Sequence, residues 1–261
     1  HFLLSVGLGV CYRRQVRRVV IADLNLKGAK GVVSPGTKVQ GTTKPDATEE
    51  LSALKSSEYR AIVARLNYPS SDRPDISYSV KELARSMSKP MSGCWEQLTR
   101  LGRYLITKPR AVVHFPFQKV PDALKVYTDA DCAGCRTSRK STSGGAIMLG
   151  AHTIKSWSKT HSLLALSSGE SGFYAALKAS AEGLGVLYMM GDFGYHVKGE
   201  VYGDASAALG IIHRKGLGRT RHIDTEWLCI QQTAADKRLA YFKVLGKDNP
   251  ANLMTKYRAL I

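Results

Sequence analysis

From Pro121 onward the sequence changes period. Three short β-like runs follow one another, "ALKVYTDADCAG", "SGGAIMLG" and "HTIKSWSK", the last two joined by a tight turn at Gly150 and Ala151. Residues 168–190 then read as one long helix. "GEVYGDASAALGIIHRKG" reads as a strand, an acid and a short helix stopped by Gly216, and "HIDTEWLCIQQTAADKR" as a helix with Asp224 near its start. "LAYFKVLG" is a fifth strand and "NPANLMTKYRAL" a last helix. The order β-β-β-α-β-α-α-β-α predicts an α/β layered fold.

Upstream the texture is different. Residues 31–50 are rich in Gly, Pro, Thr and charge and read as a linker or long loop. Residues 51–110 carry three helical patterns. "SSEYRAIVARLNYPS" is capped by Ser56 or Ser57. "RPDISYSVKELARSMSKP" has Pro74 in its first turn. "SGCWEQLTRLGRYLITKP" puts Trp95, Leu98, Leu101 and Leu105 on one face and stops before Pro109. A small helical subdomain over 51–120 is therefore expected to precede an α/β domain over 121–261.

The formal net charge is +17, and it is spread along the chain. Residues 1–120 hold 20 Lys and Arg against 9 Asp and Glu; residues 121–261 hold 18 against 12. Such an excess in both halves suits a polyanionic partner, nucleic acid first, or else a strongly solvated surface. No apolar run reaches the roughly 20 residues that cross a bilayer, so no membrane partner is expected. The opening "HFLLSVGLGVCY" has its charge after the apolar stretch, the reverse of a signal peptide, and a start at His1 suggests a piece of something longer. Five scattered cysteines, with one C-x-x-C at Cys132 and Cys135, fit a reducing, intracellular setting in cytoplasm or nucleus better than a disulfide framework or a zinc site.

The acids at the strand ends carry the chemistry. Asp129 closes the first strand, with Asp131 two residues on, and Asp204 closes the fourth. In an open α/β sheet the carboxyl ends of neighbouring strands form a crevice. Two carboxylates there begin an oxygen-rich site for Mg²⁺, and paired ions can activate water for phosphodiester hydrolysis. Aspartates at strand ends are equally ordinary as turn and cap formers.

"VYTDADCAGCRTSRKSTSGGAIMLG" resembles the start of the ribonuclease H domain in copia-type LTR-retrotransposon Pol polyproteins. The similarity continues through "SWSKTHSLLALSSGESGFYAAL", "VYGDASAALGI", "GLGRTRHIDTEWLCIQQ" and "KDNPANLMTK". Upstream, "LKGAKGVVSPGTK", "YRAIVARLNY", "DRPDISYSVKELARSMSKP" and "CWEQLTRLGRYL" resemble the end of the preceding reverse-transcriptase region. The resemblance implies a palm remnant and linker over 1–50, a thumb- or connection-like subdomain over 51–120 and a ribonuclease H-like domain over 121–261, joined to upstream parts of a Pol polyprotein. No adjacent Asp–Asp pair occurs in the chain, so no polymerase centre is expected in it.

The family implies an α/β ribonuclease H-like fold, a mixed five-stranded sheet flanked by helices, and hydrolysis of the RNA strand of an RNA–DNA hybrid by two Mg²⁺, or Mn²⁺, at four acids. By motif the first is Asp129 and the third Asp204, the metal-binding pair. The second belongs to a run that here reads "SSGESGF": Glu170 is kept, but the position before the aromatic is Gly172. The fourth is replaced by Asn252. Charge at the site would fall from about −4 to −2, leaving the metal held weakly and hydrolysis poor. Glu170 lies roughly 200° round the helix from Gly172 and is expected to point away. Restoring Gly172→Glu with Asn252→Asp is expected to raise hydrolysis far more than either alone. A non-catalytic nucleic-acid-binding remnant is the alternative.

Arg136, Arg139, Lys140 and Ser141, between the first two strands, suit phosphate contact or a solvated turn. Arg219, Arg221 and His222 form a second basic group, in which His222 either assists proton transfer or simply caps or packs. Trp157 and Trp227 are expected in the core or lining a groove.

Overall fold

The computed structural model describes residues 15–37, 49–135, 138–216, 218 and 228–257. Contacts divide the chain into two compact units, residues 1–112 with 257–261 and residues 113–256.

The first unit is helical: α1 (residues 15–23), α2 (Ala53–Ser70), α3 (Pro74–Arg85) and α4 (Ser92–Thr107). Val20, Ile62, Leu66, Ile76, Leu98 and Leu101 are buried together, while Trp95 packs at the margin. The cap of α2 differs from expectation. Ser52 accepts the Lys55 N–H, whereas Ser56 is buried and donates to the Leu51 carbonyl, so the helix begins a turn earlier. The carboxylate of Asp75 is buried yet satisfied. Arg73 grips it with two bonds of 2.8 and 2.6 Å, and the Tyr104 hydroxyl donates to it at 2.9 Å.

The second unit is built on five strands: β1 (Ala123–Asp131), β2 (Thr142–Leu149), β3 (His152–Thr160), β4 (Lys198–Gly203) and β5 (Ala240–Lys243). Their spatial order is β3-β2-β1-β4-β5. β1 to β3 form an antiparallel meander; β4 and β5 add in parallel, so the sheet is mixed as expected. Helices α5 (Ser168–Asp192), α6 (Ser206–His213) and α7 (Cys229–Ala235) supply the crossovers that parallel pairing demands. Leu124, Val126, Ile147, Phe173, Val201 and Ile212 form the core. Residues 113–120 belong to this unit, and the Gln118 amide ties them to it by donating to the Leu149 carbonyl at 2.7 Å.

Two expectations change at the C-terminal end. The helix expected over "NPANLMTKYRAL" is a 3₁₀ segment, Pro250–Met254, preceded by a 3₁₀ turn at Gly246–Asp248. Asn249 explains the early stop. Its Oδ1 accepts the Ala251 N–H at 3.0 Å while its Nδ2 donates at 2.9 Å to the Thr128 carbonyl on β1, pinning the segment to the sheet. The described part of α7 begins at Cys229; Asp224 lies outside the described residues.

Gly145 on β2 faces Trp157 on β3, and a Cβ at 145 would lie 2.0 Å from the indole ring. The missing side chain lets the buried ring lie across the sheet. Gly145→Ala is expected to cost about 1–3 kcal/mol through forced repacking. Gly185→Ala, inside α5 where a Cβ meets nothing within 4 Å, is expected to gain roughly 0.5–1 kcal/mol. Urea unfolding of both variants checks the pair; equal effects would contradict the packing given for Trp157.

Candidate functional site

Parallel pairing of β1 with β4 sets Thr128 beside Gly203. The next residue on each strand is an aspartate, so Asp129 and Asp204 emerge side by side, about one strand spacing of 4.8 Å apart at the backbone. Both line one small cavity with Gly172, Ala205 and Ala208. Its volume is 20 Å³, room for about one water molecule. Asp129 is buried, whereas Asp204 is half-buried. Burial raises the pKa of Asp204, and the neighbouring Asp129 charge raises it further; Lys256 and Lys243 act in the opposite direction.

Gly172 faces this cavity and Glu170 does not. Glu170 is buried at the first turn of α5, where its carboxylate accepts the Leu166 N–H and the Tyr174 hydroxyl, each at 2.9 Å. Its own N–H is capped by Ser167. Glu170 therefore serves as a structural clasp between the loop and α5. A Cβ at Gly172 would stand 2.8 Å from the Ala205 Cβ and 3.1 Å from that of Ala208. The helix with no side chain at 172 has settled against the start of α6. This bears on the rescue expectation: even the Cβ of a glutamate at 172 requires a shift at the start of α6.

Asn252 is buried in the 3₁₀ segment, and every polar atom of its side chain is used. Its amide donates to the carbonyls of Gly246 and Asn249, and its Oδ1 accepts from Lys256. The same Lys256 ammonium lies 3.5 Å from Asp129 Oδ2, to which the Thr255 hydroxyl also donates. Among the described residues, no three His, Cys, Asp or Glu side chains come together as a metal set. The donors present do not fit a pair of Mg²⁺ ions, which need several oxygens around each ion at 2.0–2.1 Å and room for water. One carboxylate is half-buried and the other is engaged by a hydroxyl and an ammonium; the position of a third has no side chain.

Of the candidate phosphate-contacting residues, Arg139, Lys140 and Ser141 are described. Arg139 is exposed at the β1–β2 connection, in a left-handed conformation with φ 55°, and Lys140 beside it is half-exposed. Ser141 is buried, its hydroxyl accepting the Ala133 N–H at 3.0 Å, so it holds the turn together. Arg136, Arg219, Arg221, His222 and Trp227 lie outside the described residues. Trp157 is a core residue, as expected. Cys132 and Cys135 are free thiols. Thr255 and Lys256 are the participants that sequence reasoning missed. Both stand in "KDNPANLMTK", but nothing in their spacing says which way they reach.

Asp204 yields a prediction with a defined sign. An acid whose pKa is raised on folding opposes folding once ionised. The penalty is absent below the ordinary aspartate range, about 3.9, and complete above the raised folded value. Asp204→Asn is thus expected to raise the melting temperature at neutral pH, with the gain shrinking to nothing as the pH falls through the acid range. A gain that is the same at every pH would contradict burial and the Asp129 charge as its cause.

No family model matches the chain. It is 30% identical over 243 residues, 91% of its length, to the retrovirus-related Pol polyprotein from transposon TNT 1-94 of Nicotiana tabacum. It is also 30% identical, over an alignment of 274 positions that covers 98% of its length, to that from transposon RE2 of Arabidopsis thaliana. In each case it spans 18% of the relative's length. Among solved structures, LC11 ribonuclease H1 in complex with an RNA/DNA hybrid is 16% identical, with a TM-score of 0.35 over 50% of this chain and 92% of that one. Over nearly its whole length the chain, with its five-stranded mixed sheet and paired strand-end aspartates, is thus homologous to one segment of the Pol polyproteins of retrotransposons.

Proposed function

We propose that the second unit is a ribonuclease H-type domain that binds RNA–DNA hybrid and hydrolyses its RNA strand poorly or not at all. The observation that carries the reading is the cleft itself. Of four carboxylates implied by the family, only Asp129 and Asp204 are present there, and the places of the others hold Gly172 and Asn252. Losing ligands from a set that acts as a unit removes most of its effect, because the ions must be held in line with the scissile phosphate. Binding survives because it rests on different groups. The excess of 18 Lys and Arg over 12 Asp and Glu in residues 121–261 favours the phosphate backbone irrespective of the cleft.

The test is a labelled RNA–DNA hybrid incubated with the full chain and Mg²⁺ or Mn²⁺, with binding curves at several salt concentrations. The expected result is retention of the hybrid that weakens linearly on a log–log salt plot, without cleavage. Arg139→Ser with Lys140→Ser is expected to flatten that slope by about 1–2. Gly172→Glu with Asn252→Asp is expected to recover cleavage only when Ala205→Gly makes room at α6. Robust cleavage by the unmodified chain would overturn the impairment; failure to hold hybrid at low salt would overturn the binding.

A further inference from the structure

The cleft lacks ligands for divalent ions, yet it is not left as two bare carboxylates. Two of the four positions that the family resemblance assigns to the metal set are Asp129 and Asn252, and one ammonium contacts both. Lys256 Nζ donates to Asn252 Oδ1 and lies 3.5 Å from Asp129 Oδ2. An ammonium is a compact point charge with three donors, the protein group nearest to a small cation in what it offers oxygen ligands. The Asn252 amide is turned so that its NH₂ meets the Gly246 and Asn249 carbonyls, which leaves its oxygen to face the lysine. Thr255 adds a hydroxyl donor to the same Asp129 oxygen. The anchor is rigid, because Asn249 ties the segment to β1 three residues before Asn252. The side chain of Lys256 is 36% exposed and that of Asp129 5%, so the pair is screened from solvent on the carboxylate's side.

We propose that Lys256 is a tethered cation standing in the place of a divalent ion, which gives this cleft a metal-independent folded state. Asp129, buried beside Asp204, carries a charge that would otherwise oppose folding; the lysine offsets it from within the chain. Asn252 then has a purpose as a neutral residue. An aspartate there would lose its two hydrogen bonds to carbonyls and would turn a carboxylate toward their oxygens. The inference concerns metal and stability alone, and holds whether or not the domain binds hybrid.

The experiment uses the full chain, with thermal unfolding in EDTA, Mg²⁺ and Mn²⁺, and Mn²⁺ uptake followed by the loss of its free-ion paramagnetic resonance signal. The parent is expected to melt at the same temperature in all three and to take up no Mn²⁺ at this cleft. Lys256→Met is expected to melt lower in EDTA, to be raised again by Mn²⁺, and to bind Mn²⁺ at least about tenfold more tightly than the parent. Asp129→Asn in the Lys256→Met background is expected to restore stability and abolish the Mn²⁺ response, since the orphaned charge is gone. Should Lys256→Met alone fail to fold, a folded double variant supports the proposal. A double variant that also fails to fold overturns it, as does a parent stabilised by Mg²⁺ or a Lys256→Met chain that loses no stability and gains no Mn²⁺ binding.

Discussion

The parallel pairing of β1 with β4 is the constraint on which the site depends. Backbone hydrogen bonds put Thr128 opposite Gly203, and that register delivers Asp129 and Asp204 to neighbouring strand ends. A carboxylate so placed resists burial and is repelled by its neighbour. That is why Asp204 holds its proton more tightly than an ordinary aspartate. A fold that keeps this register must supply positive charge at the cleft. In this chain Lys256 does so: Asn249 holds the C-terminal 3₁₀ segment against β1, and Thr255 and Lys256, which follow that segment, reach Asp129.

Packing behind the carboxylates follows from one missing side chain. With glycine at 172, and another at 169 whose Cβ would meet Ala207 at 2.8 Å, α5 approaches the start of α6 closely enough to leave a cavity of 20 Å³. Closely packed small residues stabilise the pair of helices through dispersion, and the same contact shuts the space a ligand would use. On the proposed reading, a glutamate at 172 and this packing compete for one space, because its Cβ would stand 2.8 Å from that of Ala205. Glu170, in the first turn of the helix, is used for structure: its carboxylate accepts the Leu166 N–H and the Tyr174 hydroxyl.

Much of this was legible in the residues. The change of period at Pro121 marked the strands, the acids at their ends marked the crevice, and the rotation between positions 170 and 172 turned Glu170 away from the cavity that Gly172 lines. What was not legible depended on tertiary reach. Ser52 caps α2 in place of Ser56 because Ser56 is drawn into the core. The "NPANLMTK" run has helical chemistry, with proline at its first turn, but a single side chain pins it to β1 and tightens it to 3₁₀. Lys256 follows Asn252 by four residues, yet its approach to Asp129, 127 positions earlier, is set by the sheet and not by spacing. The close approach of α5 to α6 is likewise invisible until the helices are placed.

The most direct measurement is a ¹H–¹⁵N correlation spectrum of the chain titrated with Mg²⁺. Amides at 128–130, 203–205 and 252–256 surround the two carboxylates and Lys256. A closed, internally neutralised cleft predicts that these signals stay in place as Mg²⁺ rises, apart from the small uniform drift that ionic strength gives every exposed amide. Saturable shifts confined to those residues would mean that the site holds the ion, and would contradict it.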